Sequence, residues 1–226
     1  MEFKKHSDIN KNYKKIGFGT EAIIYEYNKN ELLKIFWGSL DEDNLKRINS
    51  FKEIDTDHFA FPTEEVYINS KLKGYKMNFK KGTKFNSLDY SLEIEALIEA
   101  LKKLRDDIVI ISDNNVSIYD LHDANILFNN SDTSINIIDT SQYGLNAPDF
   151  ITAYKHNCRV IASLIFRLLS IPLDNINYIN EIDNIINIII SKKDYLENFF
   201  DNKIDSIKEM KLNYKLYNRK IYNSKY

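Results

Sequence analysis

The sequence changes character once, across Lys80-Lys81-Gly82-Thr83, and that change restricts the possible folds sharply. Ahead of it lie short runs of β-formers broken by turn clusters. Ile23, Ile24, Tyr25 and Tyr27 precede Asn28-Lys29-Asn30, and Leu32 to Phe36 resumes an apolar run, which predicts a hairpin. Pro62 to Ile68 and Lys71 to Phe79, joined at Asn69-Ser70, predict two more strands. Between them, residues 40–54 carry Leu45, Ile48 and Phe51 at helical spacing. Behind the break helical stripes dominate. Residues 87–105 predict a helix capped by Ser87, with Leu88, Leu92, Leu97, Ile98, Leu101 and Leu104 on one face. Ile108–Ile111 reads as a separate segment, followed by a polar turn at Ser112–Asn115 and the stretch Val116 to Phe128. Asn129–Ser134 reads as a turn, Ile135–Ile138 as a short strand, and Asn157 to Leu169 as a second apolar helix. Short helical patterns fill the chain from Asp174 on. The expectation is an α+β chain, β-rich with one helix over residues 1–79 and mainly α over 80–226.

Composition closes off several function classes. A net charge of −2 gives no argument for a nucleic-acid or membrane-surface partner. The single cysteine, Cys158, excludes an internal disulfide framework and reads as a buried small hydrophobe. The longest apolar stretch, Val160 to Leu169, contains Arg167 and is too short to span a bilayer. Met1 to Lys15 is polar and lacks the apolar core of an export signal, so a soluble cytoplasmic protein is expected. With only 6 glycines and 3 prolines in 226 residues, the glycine positions carry information.

Four separated elements hold residues suited to chemistry. Gly17-Phe18-Gly19-Thr20 precedes a strand containing Ile24, where glycines let backbone N–H groups approach phosphates. Two glycines in a hairpin also make an ordinary turn. Lys34 sits among apolar residues in Leu32-Leu33-Lys34-Ile35-Phe36. On a central strand it would need an anion, whereas on an edge strand it would face solvent. Tyr119-Asp120-Leu121-His122-Asp123-Ala124-Asn125 offers a carboxylate that can deprotonate a hydroxyl and an amide oxygen that can ligate Mg²⁺. It also reads as an Asx-rich turn. Asp139 ends the apolar run Ile137-Ile138, where a carboxylate seeks a metal or begins a turn.

In this order the elements resemble the protein-kinase-like superfamily, in the bacterial branch that includes aminoglycoside and choline kinases. Asp120-Leu121-His122-Asp123-Ala124-Asn125 is similar to the Asp-Leu-His-Pro-x-Asn loop of small-molecule kinases, and Asp139 follows Asp120 by 19 residues, a spacing that family favours. The resemblance covers roughly residues 12–170. It implies a bilobal fold, with a small β-rich N-lobe and a reduced, mainly α C-lobe. It implies ATP and Mg²⁺ as cofactors and a phosphotransferase whose acceptor is a hydroxyl on a small molecule or a protein Ser/Thr. Gly17, Phe18 and Gly19 would cover the phosphates beside Ile24, and Lys34 would hold the α- and β-phosphates. Met77 would stand at the gatekeeper position, with the backbone of Asn78 and Lys80 meeting adenine. Asp120 would be the catalytic base, with Asn125 and Asp139 ligating Mg²⁺. A glutamate pairing with Lys34 is expected from the helix at 40–54, either Glu42 or Glu53.

The sequence departs from that family at named positions. Ala22 replaces a third loop glycine, Tyr119 precedes Asp120 in place of arginine, and Ser141 follows Asp139-Thr140 where glycine is usual. Asn157 stands where the central helix usually carries aspartate. These departures motivate an alternative, a pseudokinase-like module that binds nucleotide and signals without transferring phosphate. The tail from Lys211 to Tyr226, basic and rich in tyrosine, reads as a solvated terminus, with nucleic-acid binding as its other reading.

Overall fold

A computed structural model describes residues 1–85, 93–172, 174 and 176–198 of the chain. Its main sheet is built from β1 (Glu2–Phe3), β2 (Lys14–Phe18), β3 (Ala22–Glu26), β4 (Glu31–Phe36), β5 (Pro62–Ile68) and β6 (Lys71–Asn78). The spatial order is β1-β5-β6-β4-β3-β2, antiparallel throughout except for the parallel pairing of β1 with β5. Sequential hairpins explain most of this order, since short turns join neighbouring antiparallel strands. β4 lies in the middle, and Leu32, Leu33, Lys34 and Ile35 are buried on both of its faces. One of those faces packs on Ile9, Tyr25 and Val66. The other belongs to a cluster with Ile48, Tyr75 and Met77.

Gly74 in β6 has a structural reason to be glycine. A Cβ there would lie 1.9 Å from the Lys34 carbonyl oxygen, so any side chain would push β6 away from β4. Helix α1 (His6–Asn12) and strand β1 have no counterpart in the sequence reading; β1 is fixed by pairing Glu2 and Phe3 with Tyr67 and Ile68. Helix α2 (Glu42–Phe51) falls inside the expected 40–54. Asp41 caps it, accepting a hydrogen bond from Asn44 N at 2.9 Å.

The second sheet has three strands, β7 (Thr83–Lys84), β8 (Ile126–Asn129) and β9 (Ser134–Ile137), in sequential order. Gly82 leads into it with φ 142°, a conformation L side chains avoid. Helices α3 (Ile94–Asp113), α4 (Phe150–Leu168) and α5 (Ile182–Ser191) cover this part and share one large core. Ile108–Ile111 is not a separate segment: it is the last turn of α3. Leu97, Leu101, Leu104, Ile108 and Ile111 keep helical spacing and are all buried, each contributing about 1.5–3 kcal/mol by burial. Ser87, Leu88 and Leu92 of the expected helix lie outside the described residues, as does the tail at 211–226. The second apolar helix starts at Phe150 rather than Asn157, because Asp149 caps it by accepting from Thr152 N at 2.7 Å. Cys158 is fully buried on α4, and burial pushes its thiol pKa up to about 12, so it packs rather than reacts. No helix of the described residues is long and apolar enough to cross a membrane.

The two sheets are sewn together. Ala60 N donates to the Ile137 carbonyl at 2.9 Å, and Ile137 N to the His58 carbonyl at 2.8 Å. Asp107 of α3, buried, accepts from His58 N at 2.7 Å and from His58 Nδ1 at 2.9 Å. The chain between α2 and β5 is thereby clamped onto the second sheet and its helix. The overall architecture is mixed α+β.

Candidate functional site

Lys34 is 6% exposed, which excludes the edge-strand reading. Its ammonium donates to Asp139 Oδ1 and, at 3.2 Å, to Ser141 Oγ. The anion that a lysine on a central strand requires thus comes from the far side of the sheet junction. Burial opposes the charged form of Lys34, but Tyr75 and Asp139 outweigh it and hold its pKa above the ordinary lysine value. Burial would likewise raise the Asp139 pKa, but the Lys34 charge and hydrogen bonds from Lys34 and Ser141 hold the carboxyl below the usual carboxylate range.

Asp139 follows β9 in the left-handed region, with φ 60°, and a turn of 3-10 helix, Thr140–Gln142, comes next. Thr140 Oγ1, buried, donates to the Ala60 carbonyl at 3.1 Å and fixes that turn. Asp120 is also left-handed, with φ 53°. Aspartate tolerates this conformation better than most residues, at a cost of about 1 kcal/mol. Both carboxylate-bearing positions named from the sequence therefore stand on strained turns rather than on regular structure.

Asn125 joins the two. Its backbone carbonyl accepts from Ile138 N at 2.9 Å, immediately before Asp139. Its Nδ2 donates to the Asp120 carbonyl at 3.2 Å. Among the described residues, Oδ1 of Asn125 accepts no hydrogen bond. Lys34, Asp139, Asn125 and Asp120 are thereby linked by an unbroken series of contacts. The Asp120 side chain is exposed.

What holds the Asp120 segment is Asn157 of α4, fully buried. Its Oδ1 accepts from Ile118 N at 2.8 Å, and its Nδ2 donates to the Val116 carbonyl at 2.8 Å and to Ser112 Oγ at 3.0 Å. An ionised aspartate could accept but not donate, so the amide suits this position better than the acid. His156 adds a second tie, with Nε2 at 2.9 Å from the Ile118 carbonyl.

The remaining sequence-named residues are placed as follows. Gly17 and Gly19 flank the turn between β2 and β3, and neither has a left-handed φ. A Cβ on Gly19 would meet nothing within 4 Å, and one on Gly17 would make ordinary contact with Ile24. The fold itself does not demand glycine at either place. Phe18 is largely exposed, with Lys15 Nζ 4.8 Å from its ring centroid. Ile24 pairs with Lys34, and Met77, buried, pairs with Leu32. Asn78 closes β6 opposite Glu31. Lys80 turns its ammonium to the Asp57 carbonyl at 2.6 Å, and burial lowers its pKa.

The expected glutamate partner of Lys34 is a correction. Glu42 begins α2 and Glu53 lies just past its end; both are exposed, and among the described residues neither pairs with Lys34. The α2 residue that reaches the site is Arg47, whose Nη1 donates to the Ser141 carbonyl at 2.8 Å. The sequence carries no signal for Arg47, because its role depends on the fold bringing α2 against Ser141. Ser141, two residues past Asp139, was visible only as a departure from the motif.

Two buried hydroxyls add to the picture. Tyr75 and Tyr143 are each almost wholly buried, and among the described residues neither hydroxyl oxygen has a well-formed hydrogen bond, although that of Tyr75 lies beside Lys34 and Ser141. Burial raises the pKa of both, with the Lys34 charge opposing at Tyr75 and the Asp139 and Asp120 carboxylates adding at Tyr143. Orphaned buried hydroxyls are costly and call for an occupant. Lys34 and Ser141 both donate to Oδ1 of Asp139, leaving Oδ2 open. That oxygen and Asn125 Oδ1 are hard donors that suit Mg²⁺, and Lys34 suits a phosphate. No protein-family model and no curated protein matches the chain, so the reading of the site rests on its own residues.

Proposed function

We propose that the chain is a phosphotransferase of bilobal, protein-kinase-like fold that uses ATP and Mg²⁺ and transfers the γ-phosphate to a hydroxyl. The acceptor class is a small molecule or a protein Ser/Thr side chain. The observation that carries this reading is the contact of Lys34 with Asp139, 105 residues away in the chain, together with the hydrogen bonds that join Asn125 to Ile138 and to the Asp120 backbone. The central position of the lysine strand in a hairpin-built sheet supports it, as does glycine at two places where the fold does not require it.

In this reading Lys34 exchanges Asp139 for phosphate oxygens, and its buried, raised-pKa ammonium stays charged at neutral pH. Asp139 and Asn125 would hold Mg²⁺ through their side-chain oxygens, and the ion would supply charge neutralisation at the phosphates. Asp120, exposed on its strained turn, accepts the hydrogen bond of the acceptor hydroxyl and takes its proton. Asn157 fixes the backbone two residues before Asp120, so the base meets the hydroxyl with little reorganisation. The stretch from Thr140 to the α4 cap at Asp149 is short, which favours a small-molecule acceptor over a protein docked on a long activation segment.

The test is transfer of label from γ-labelled ATP, with Mg²⁺, across panels of hydroxyl metabolites and of proteins. Transfer that depends on Asp120, and is lost in Asp120→Ala, is expected. Transfer surviving Asp120→Ala removes Asp120 as the base. Intact Mg·ATP binding without turnover on any acceptor favours the nucleotide-binding module instead.

A further inference from the structure

Behind the Lys34–Asp139 pair, between α2 and the main sheet, lies a cleft of about 330 Å³. Its walls include Phe36, Trp37 and Phe51, and its polar floor is Arg47, Tyr75 and Ser141. Arg47 is half-buried and, among the described residues, has no carboxylate partner; its one hydrogen bond goes to the Ser141 carbonyl. A guanidinium carries five N–H donors, so most are unspent. Half-buried Lys76 of β6, by contrast, is paired with Glu31 and Glu64, while half-buried Lys73 donates to the Trp37 carbonyl at 3.3 Å. Tyr75, only 2% exposed, lines the same cleft; its hydroxyl lies beside Lys34 and Ser141 and, among the described residues, forms no well-aligned hydrogen bond. Burial keeps that hydroxyl protonated and therefore able to donate.

We infer that this cleft binds a small organic monocarboxylate with an aromatic or aliphatic body. The cleft offers two kinds of unspent donor and no unspent buried acceptor among those described. An acceptor-rich, planar anion satisfies Arg47 in its preferred forked geometry and reaches the tyrosine hydroxyl as well. The aromatic walls and the cavity size suit a body of drug-fragment dimensions. Glu21, exposed at the mouth, disfavours a second negative charge on the ligand. The cleft adjoins the Lys34–Asp139 locus through Tyr75 and Ser141, but the proposal rests on Arg47 and the cleft walls and not on the phosphotransferase reading.

Trp37 lines the cleft and is the chain's single tryptophan, so its fluorescence reports occupancy directly. The full chain, without nucleotide, is titrated with phenylacetate, 3-phenylpropionate and hexanoate, with phenylacetamide as the neutral isostere and with inorganic phosphate. At least one carboxylate is expected to give a saturable change, with phenylacetamide and phosphate about tenfold weaker or worse. Arg47→Gln is expected to erase the preference for acid over amide. Tyr75→Phe, which keeps the ring and its packing, is expected to weaken the acid severalfold and supplies the test if Arg47→Gln does not fold. No saturable response from any carboxylate up to ~10 mM would overturn the proposal. Equal midpoints for acid and amide, or wild-type behaviour in both variants, would overturn it too. Because no nucleotide is present, failure here leaves the phosphotransferase reading standing, and the reverse holds.

Discussion

Around Asn157 every side-chain donor and acceptor is matched within the protein, whereas around Lys34 several polar atoms are left over. The Asn157 amide meets Ile118 N, the Val116 carbonyl and Ser112 Oγ in a fully buried setting. Near the Lys34–Asp139 pair, among the described residues, the Tyr75 and Tyr143 hydroxyls form no well-aligned hydrogen bond, and neither Oδ2 of Asp139 nor Oδ1 of Asn125 accepts one. Tyr75, Tyr143 and Asn125 are buried as Asn157 is, so solvent exposure does not explain the contrast at those three, whereas the Asp139 side chain is 45% exposed and its second oxygen can meet water. A saturated network positions backbone and resists change. An unsaturated one is arranged for something that arrives. The first is the mount and the second is the site.

The largest expected effect breaks the mount. Asn157→Leu leaves Ile118 N and the Val116 carbonyl buried without partners, and a loss of about 3 kcal/mol is expected in urea unfolding. A loss under ~1 kcal/mol would show that the network is not the anchor. Tyr143→Phe acts in the opposite direction. Removing an orphaned buried hydroxyl should raise stability by about 1 kcal/mol and weaken Mg·ATP binding. A fall in stability would mean that the hydroxyl has a partner after all.

The titration of the Lys34–Asp139 pair separates the regions further, because Asn157 and the three groups its amide meets include no ionisable side chain. Asp139 has a lowered native pKa, so its contribution is present above its unfolded value of about 4 and is lost as pH falls through the native value. Lys34 has a raised native pKa, so its contribution is present below about pH 10 and is lost as pH rises through the native value. The acid limb of stability against pH should therefore be shallower in Asp139→Asn than in the wild type. Coinciding limbs would mean that the pair is no more stable than its separated, solvated charges. The smallest structural effect is expected at Gly19→Ala, where stability should move by less than about 0.5 kcal/mol while nucleotide affinity falls. A large stability change there would tie the glycine to the fold rather than to a ligand.

The strands of the main sheet were legible because turn residues bracket them. Pro62–Ile68 was read with its observed bounds, and Lys71–Asn78 to within one residue. The end of α3 was not, since Ile108-Val109-Ile110-Ile111 has the composition of a strand, while its burial follows the helical stripe begun at Leu97. The early start of α4 had a signal in Asp149 three residues ahead of Thr152, an N-cap spacing. β1 is two residues long and exists through its partner strand, which no local pattern reveals. At the site, Lys34, Asp120, Asn125 and Asp139 were legible from residue type and order. Arg47 and the two tyrosine hydroxyls were not, because their role depends on what the fold leaves unpaired around them.

The most direct test of the central claim is calorimetric titration of Mg·ATP into the wild type and into Lys34→Met, a substitution that removes the ammonium and leaves a side chain of similar shape. The wild type is expected to bind, and the variant, once shown to be folded by circular dichroism, to bind at least about tenfold more weakly. Equal affinities in the two proteins, or no binding by the wild type, would contradict the account.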